Sequence, residues 1–339
     1  MNRRNRHLPG GIFLAFLLMA GLAFTEDTTK GYGVYQYVVQ SASGSFDEIS
    51  AALEKAASAA GWRVLANVDS GVPKGCPSKA RVFVLYDSKY AQEVMTANRK
   101  TGPFAVLDRI NLFQDENGIH VAVVNPHSIN RTILMDDQKY EKLTEDHLQS
   151  VRRMITGAVQ GTTTSKEYGQ ERKEGYIGKT MGVMAGGKFE DKIVNEFVIE
   201  GGDWKQVVAK VREGLSKPGE RWGMHLVYEL EMPEFETVVL GSTGTPMDSR
   251  SFSIVKAGDD KSRKGLKCPG LAHAAAYPIE VVVAKEGNDV KVRVVESMYR
   301  MKMYFEDAGK WAFMTNMSMP GSIQEELKAQ VKKTLGSHK

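Results

Sequence analysis

"RINLFQDENGIHVAVVNP", residues 109–126, decides the fold. Two apolar runs flank an acidic turn that ends in Gly118, the pattern of two antiparallel strands joined tightly. The stretch has an echo further along. "YPIEVVVAKEGNDVKVRV", 277–294, aligns with the segment from Asp108 onward without gaps at an offset of 169, which sets Gly287 over Gly118. The correspondence continues past the strands, with Ser297 on Ser128 and Arg300 on Arg131.

Working outward, helix signals precede each strand pair. In "SGSFDEISAALEKAASAAGW", Ser45 and Glu48 form a capping box, Phe46, Ile49, Leu53 and Ala57 share a face, and Gly61 ends the helix. In "GGDWKQVVAKVREGL", Asp203 and Gln206 take the cap positions and Trp204, Val207, Val211 and Leu215 the face. Strands follow in "WRVLANV" and "ARVFVLY", and again in "WGMHLVYEL" and "TVVLG". A second helix fits 88–98; its counterpart near 259–268 is polar and poorly patterned. Closing helices start near Thr144 and at a Ser322/Glu325 cap. The order β-α-β-β-α-β-β-α, met twice, predicts an antiparallel α+β fold and rules against a parallel, doubly wound sheet. The expected divisions are a signal peptide at 1–23, a first domain at 30–160, a Gly-rich charged linker at 161–188 and a second domain at 189–339.

The chain resembles the bacterial domain of unknown function 302, taken as two tandem copies. Arg109, Asp115-Glu116, Gly118 and Asn125-Pro126 match that family's signature, while Val106 or Leu107 stands where its proline is expected. The second copy keeps Pro278 and Gly287 but has Val294-Val295 in place of Asn-Pro. The resemblance implies a small α+β fold akin to the TATA-binding-protein type, often paired, and brings no established activity and no catalytic residues.

The N-terminus reads as an export signal: Arg3, Arg4 and Arg6, an apolar run from Ile12 to Phe24, then Gly21 and Ala23 as small residues before a cleavage point. The run is shorter than the ~20 residues that span a bilayer; a retained N-terminal anchor is the alternative. The expected location is periplasmic or secreted. Loss of residues 1–23 lowers Lys plus Arg from 45 to 42 against 41 acids, so a net charge of +4 becomes +1. A near-neutral chain carries no footprint for nucleic acid. The two cysteines, Cys76 and Cys268, are free to pair after export, and Cys268 equally reads as a free thiol or a metal ligand.

No catalytic constellation appears. "GYIGKT", 175–180, has Lys173 where a phosphate loop needs glycine, and there is no Gly-x-Ser-x-Gly and no zinc-type histidine pair. "LGSTGTP", 240–246, reads as a glycine turn. "KCPGLAHAAAYPIE", 267–280, is more suggestive, because Cys268 and His273 flank a Pro-Gly turn and stand where the first copy has Arg99 and Phe104. Methionines then cluster in "MYRMKMYF", 298–305, and "MTNMSM", 314–319. We read these as two arms of a hairpin turning at Asp307-Ala308-Gly309, with Met301, Met303, Met317 and Met319 on its apolar face. Core packing explains such a face, since methionine fills irregular gaps. Yet the first copy has Ile129, Thr132 and Leu134 at the positions of Met298, Met301 and Met303. Thioethers with a thiolate and an imidazole suit copper(I), or haem as a second choice. The expected soft-metal set is Cys268, His273, Met298, Met301, Met303, Met314, Met317 and Met319. A non-catalytic exported binding protein is the leading expectation. Its partner is a metal ion or a small apolar ligand, with self-association possible and a purely structural or partner-binding role as the other alternative.

Overall fold

A computed structural model describes residues 30–135, 138–180 and 185–336. The expected signal segment, 1–23, lies outside the described residues, as do 181–184 of the expected linker. From Gly31 onward the chain is antiparallel α+β. The first sheet contains β1 (Tyr32–Gln40), β2 (Arg63–Asp69), β3 (Ala80–Tyr86), β4 (Asp108–Asp115), β5 (Gly118–Val124), β6 (Thr162–Thr163) and β7 (Glu167–Arg172). A small ribbon follows, β8 (Ile177–Thr180) with β9 (Ala185–Gly187). The second sheet contains β10 (Ile193–Ile199), β11 (His225–Met232), β12 (Thr237–Thr243), β13 (Ile279–Glu286) and β14 (Asp289–Val295). The first sheet runs β2-β3-β4-β5-β1, and the second runs β11-β12-β13-β14-β10, the same order.

The helices are α1 (Phe46–Ala59), α2 (Ser88–Ala97), α3 (Pro126–Leu134) and α4 (Glu141–Ala158) in the first half. The second half has α5 (Trp204–Leu215), α6 (Thr245–Val255), α7 (Ser297–Phe305), α8 (Lys310–Thr315) and α9 (Ser318–Leu335). The Ser45/Glu48 capping box forms, and the Asp203 side chain accepts from the Gln206 amide at 2.9 Å. α5 lies close to α9 because residue 214 is glycine: a Cβ there would stand 2.6 Å from the Gln330 carbonyl oxygen.

Four expectations need correction. α9 starts at Ser318, after Met317, and not at a Ser322/Glu325 cap. The segment 161–188 is not a free linker, since β6 and β7 both pair with β1. Without them β1 would be an unpaired sheet edge beyond β5. The counterpart of α2 is α6, not a segment near 259–268; Pro246 lies in its first turn, and Met247, Ser251, Phe252 and Val255 are buried along it. Last, the methionine hairpin does not exist. Residues 297–305 are helix α7, and the corresponding 126–134 are helix α3. Both helices have side-chain caps: Asn125 accepts from the His127 amide, and Glu296 from Met298 and Tyr299. Methionine is a good helix former, and α7 is buried along most of its surface, including Tyr299 and Met303 four residues apart.

Strand alternation sets two faces on the first sheet. Ile110, Leu112, Val121 and Val123 point to one core with α1 and α4. Tyr35, Tyr37, Phe113 and Ala122 point the other way, into a core continuous with the second half. β4 therefore carries Arg109 and Asn111 into that junction. Arg109 donates to the carbonyl of Ala276 at 3.1 Å, and Asn111 to those of Leu271 and Ala272 at 2.9 Å. These carbonyls belong to the 3-10 segment Pro269–Ala276; that of Ala272 also accepts from the Tyr168 hydroxyl and that of Ala276 from Arg300, so the buried backbone acceptors are satisfied.

The loop between β2 and β3 forms a second junction. Gly71 sits against the start of α6, where a Cβ would lie 2.3 Å from the Thr245 carbonyl oxygen. Its amide donates to Asp248 Oδ2 at 3.0 Å, and Thr243 Oγ1 donates to Asp248 Oδ1 at 2.7 Å. Burial pushes the Asp248 carboxyl up to about 7, even against these two hydrogen bonds. The folded state thus favours the protonated form relative to an unfolded aspartate near about 3.9. The resulting stabilisation is complete below that lower value and is lost as pH rises through about 7. We expect the wild type to lose on the order of 2–4 kcal/mol relative to Asp248→Asn between pH 4 and pH 8. Asparagine can keep both contacts, its oxygen toward Gly71 and its amide toward a reoriented Thr243 hydroxyl. Urea midpoints at four pH values test this, and parallel profiles for the two proteins would refute it.

Candidate functional site

The second half holds a cavity of about 350 Å³ that is partly open to solvent. α6 supplies Ile254 and Val255, the sheet supplies Ile279, Val294 and Val295, and α7 supplies Met301 and Phe305. α8 closes another side with Ala312 and Phe313, and the turn into α9 adds Met317, Met319, Ile323 and Leu327. The volume lies at the lower end of the ~300–1,000 Å³ typical of small-molecule sites.

Polar side chains in the wall are tied back to the protein. Arg300 donates to the carbonyls of Ala276 and Pro278 at 2.7 and 3.0 Å and to Glu280 Oε2 at 3.2 Å. Arg109 comes from the first half onto the same carbonyls and pairs with Glu280 at 3.2 Å. Both guanidinium groups lie over the Tyr304 ring, at 4.7 Å and 4.9 Å from its centre. One carboxylate and one electron-rich ring thus offset two buried cations. Tyr277 and Ser251 share a hydrogen bond of 2.7 Å, and burial pushes the Tyr277 phenol up to about 12.

The predicted ligand set does not assemble as one group. Cys268 is bonded to Cys76, with Cα atoms 5.8 Å apart, so it offers no thiolate. His273 is fully buried, and its Nε2 lies 2.8 Å from Asp307 Oδ2. Burial pushes the Asp307 carboxyl up, but the imidazole and backbone amides outweigh this and hold it below the usual range. Met298 and Met303 are buried outside the cavity lining, and Met314 is half exposed on the outer side of α8. Only Met301, Met317 and Met319 face the cavity. Among the described residues, no three His, Cys, Asp or Glu side chains are grouped to hold a metal ion. No helix among them is long and apolar enough to cross a membrane.

Several residues of the site carry no functional signal in the sequence. Phe305, Phe313, Ile323 and Leu327 read only as core. Arg300 left a trace, because the 169-residue offset sets it over Arg131. Both are buried on the third helix of their half.

Fold and site together define an antiparallel α+β protein with an apolar cavity in its second half. No family model matches the chain, and no curated protein matches it. Among solved structures it is similar to the crystal structure of uncharacterized conserved protein DUF302 from Bacillus stearothermophilus, at 14% identity and a TM-score of 0.32. That likeness covers 37% of this chain and 98% of the other. The neighbour carries the family name that the motif at 109–126 resembles.

Proposed function

We propose that this is an exported, non-catalytic binding protein that holds a small apolar molecule in the cavity of its second half. The observation that carries the reading is the cavity itself, at about 350 Å³ and walled by Met301, Met317, Met319, Phe305 and Phe313. Thioether side chains adapt their shape to a guest, which suits a site built for binding rather than for a reaction. The Cys76–Cys268 bond supports the export reading, since such bonds persist in oxidising compartments.

Filling the cavity tests the proposal. Ile254 lines it and is only partly buried, so Ile254→Trp adds volume with little rearrangement of the core. We expect binding of a neutral solvatochromic dye to weaken by about tenfold or more, the guest and the new ring competing for one space. Equal dye binding by wild type and variant would show that the cavity is not the site.

A second reading, copper(I) on thioethers alone, is favoured by the three methionines that share the cavity. It drops Cys268, His273, Met298, Met303 and Met314 from the expected set. Met301→Leu separates the two readings, because leucine keeps most of the packing and removes the sulfur. The apolar reading expects dye affinity within about threefold of wild type; the copper reading expects copper(I) affinity to collapse in a competitor titration.

A further inference from the structure

We propose that the cavity selects uncharged, hydrocarbon-rich molecules and widens its mouth for them by displacement of helix α8; this rests on the binding function proposed above. The first part follows from the charges of the wall. Arg300 is held by Glu280 and two carbonyls. Lys302 contacts Glu306 at 3.0 Å and the Gly178 carbonyl at 2.5 Å, and Glu306 also lies 3.5 Å from Arg172. Most neutral polar groups are engaged as well: Ser251 with Tyr277 and the Met247 carbonyl, Asn316 with Arg250, Gln170 with the Glu171 carbonyl and Gln324 with Glu196. The remaining charged residue of the lining, Lys310, is exposed to water. A charged group drawn into this space would lose its hydration and meet no counter-charge that is not already paired, which is a costly transfer. A neutral chain or ring system loses nothing comparable and gains contact with the apolar wall.

The second part follows from the wall that is held least. α8 has no buried residue, although Ala312 and Phe313 face the cavity. Its outer side carries Trp311 at 77% exposure and Met314 at 47%. Gly309 leads into it with φ at 85°, and a Cβ there would meet no atom within 4 Å. Moving α8 therefore widens the opening of the cavity at small loss of burial, whereas moving α6, α7 or α9 would break the core.

The test uses the full chain and three probes of one chain length: a primary alcohol, the carboxylic acid ionised at pH 8, and the alkylammonium. Each displaces a neutral solvatochromic dye, on wild type and on Ala312→Phe, which fills the cavity from α8. The proposal expects the alcohol to displace dye at a concentration about tenfold or more below either ion, and expects Ala312→Phe to weaken it by a similar factor. A carboxylate that binds as well as the alcohol, and loses its binding in Lys310→Ala, overturns the selectivity while leaving the binding function intact. Dye that fails to bind, or that binds Ala312→Phe as well as wild type, overturns the binding function itself. Association rates test the entry route: Gly309→Pro, which cannot adopt φ near 85°, should alter them severalfold, and unchanged rates overturn entry by way of α8.

Discussion

Loss of the bond between Cys76 and Cys268 lowers the unfolding free energy by about 2–5 kcal/mol, the range for native cross-links. The bond joins the loop between β2 and β3 to the residue just before the 3-10 segment Pro269–Ala276, across a sequence separation of 192. In the chain-entropy account a closed loop of that size ranks among the more stabilising, because it removes the most freedom from the unfolded chain. It also fastens the junction where Gly71 touches α6 and where Arg109 and Asn111 hold the 3-10 segment. Cys268→Ala and Cys76→Ser, with reduced wild type as a third sample, test this by urea unfolding. Alanine is chosen at 268 because that side chain is 3% exposed, and a serine hydroxyl there would add a burial cost of its own. All three samples should show the same fall, and a midpoint unmoved by reduction would exclude the stabilising role.

That bond also shows where sequence reading stops. Local signals were legible because each rests on a few neighbouring residues: the Ser45/Glu48 box, the Asp203 cap, the strand pairs at 108–124 and 279–295. Even there the register differs from the gapless alignment. Asp115 pairs with Gly118, so Glu116 and Asn117 form the first turn, whereas Glu286 pairs with Asp289 across Gly287 and Asn288. The second turn falls two residues later than the offset of 169 predicts, a shift that keeps each side chain on its own face. α7 reads as a strand because Met-x-x-Met-x-Met contains both i, i+3 and i, i+2 spacings, and only the Glu296 cap breaks the tie. α6 was missed because Pro246 and three serines thin its apolar pattern. The disulfide, the cavity and the Arg109–Glu280–Arg300 cluster join residues far apart in the chain. No local pattern encodes such meetings.

The second large effect is expected at Asp115, where a hairpin residue of the first half meets a cation of the second. Its carboxylate contacts Arg263 through a short, charge-assisted hydrogen bond, and the two side chains are 1% and 4% exposed. His120 Nε2 lies 3.1 Å away, and the Asn117 amide donates at 2.6 Å. Burial pushes the Asp115 carboxyl up, but these partners outweigh it and hold it below the usual range. Its stabilisation is therefore present above the unfolded pKa and is lost as pH falls through the folded one. Asp115→Ala leaves the Arg263 guanidinium buried against the Phe113 ring, 4.8 Å from its centre, with no carboxylate beside it. The expected cost is about 3–5 kcal/mol, the range for stranding one member of a buried ion pair. Removing both charges should cost less, because no ion is left without a partner and only the neutral contacts of His120 and the Asn117 amide are lost. We therefore expect Asp115→Ala with Arg263→Met to regain at least half of the loss, giving a coupling of about 2 kcal/mol in a double-mutant cycle. Additive losses in that cycle would mean that the pair does not hold the two halves together and that the cost of Asp115→Ala lies in the turn at Asn117 instead.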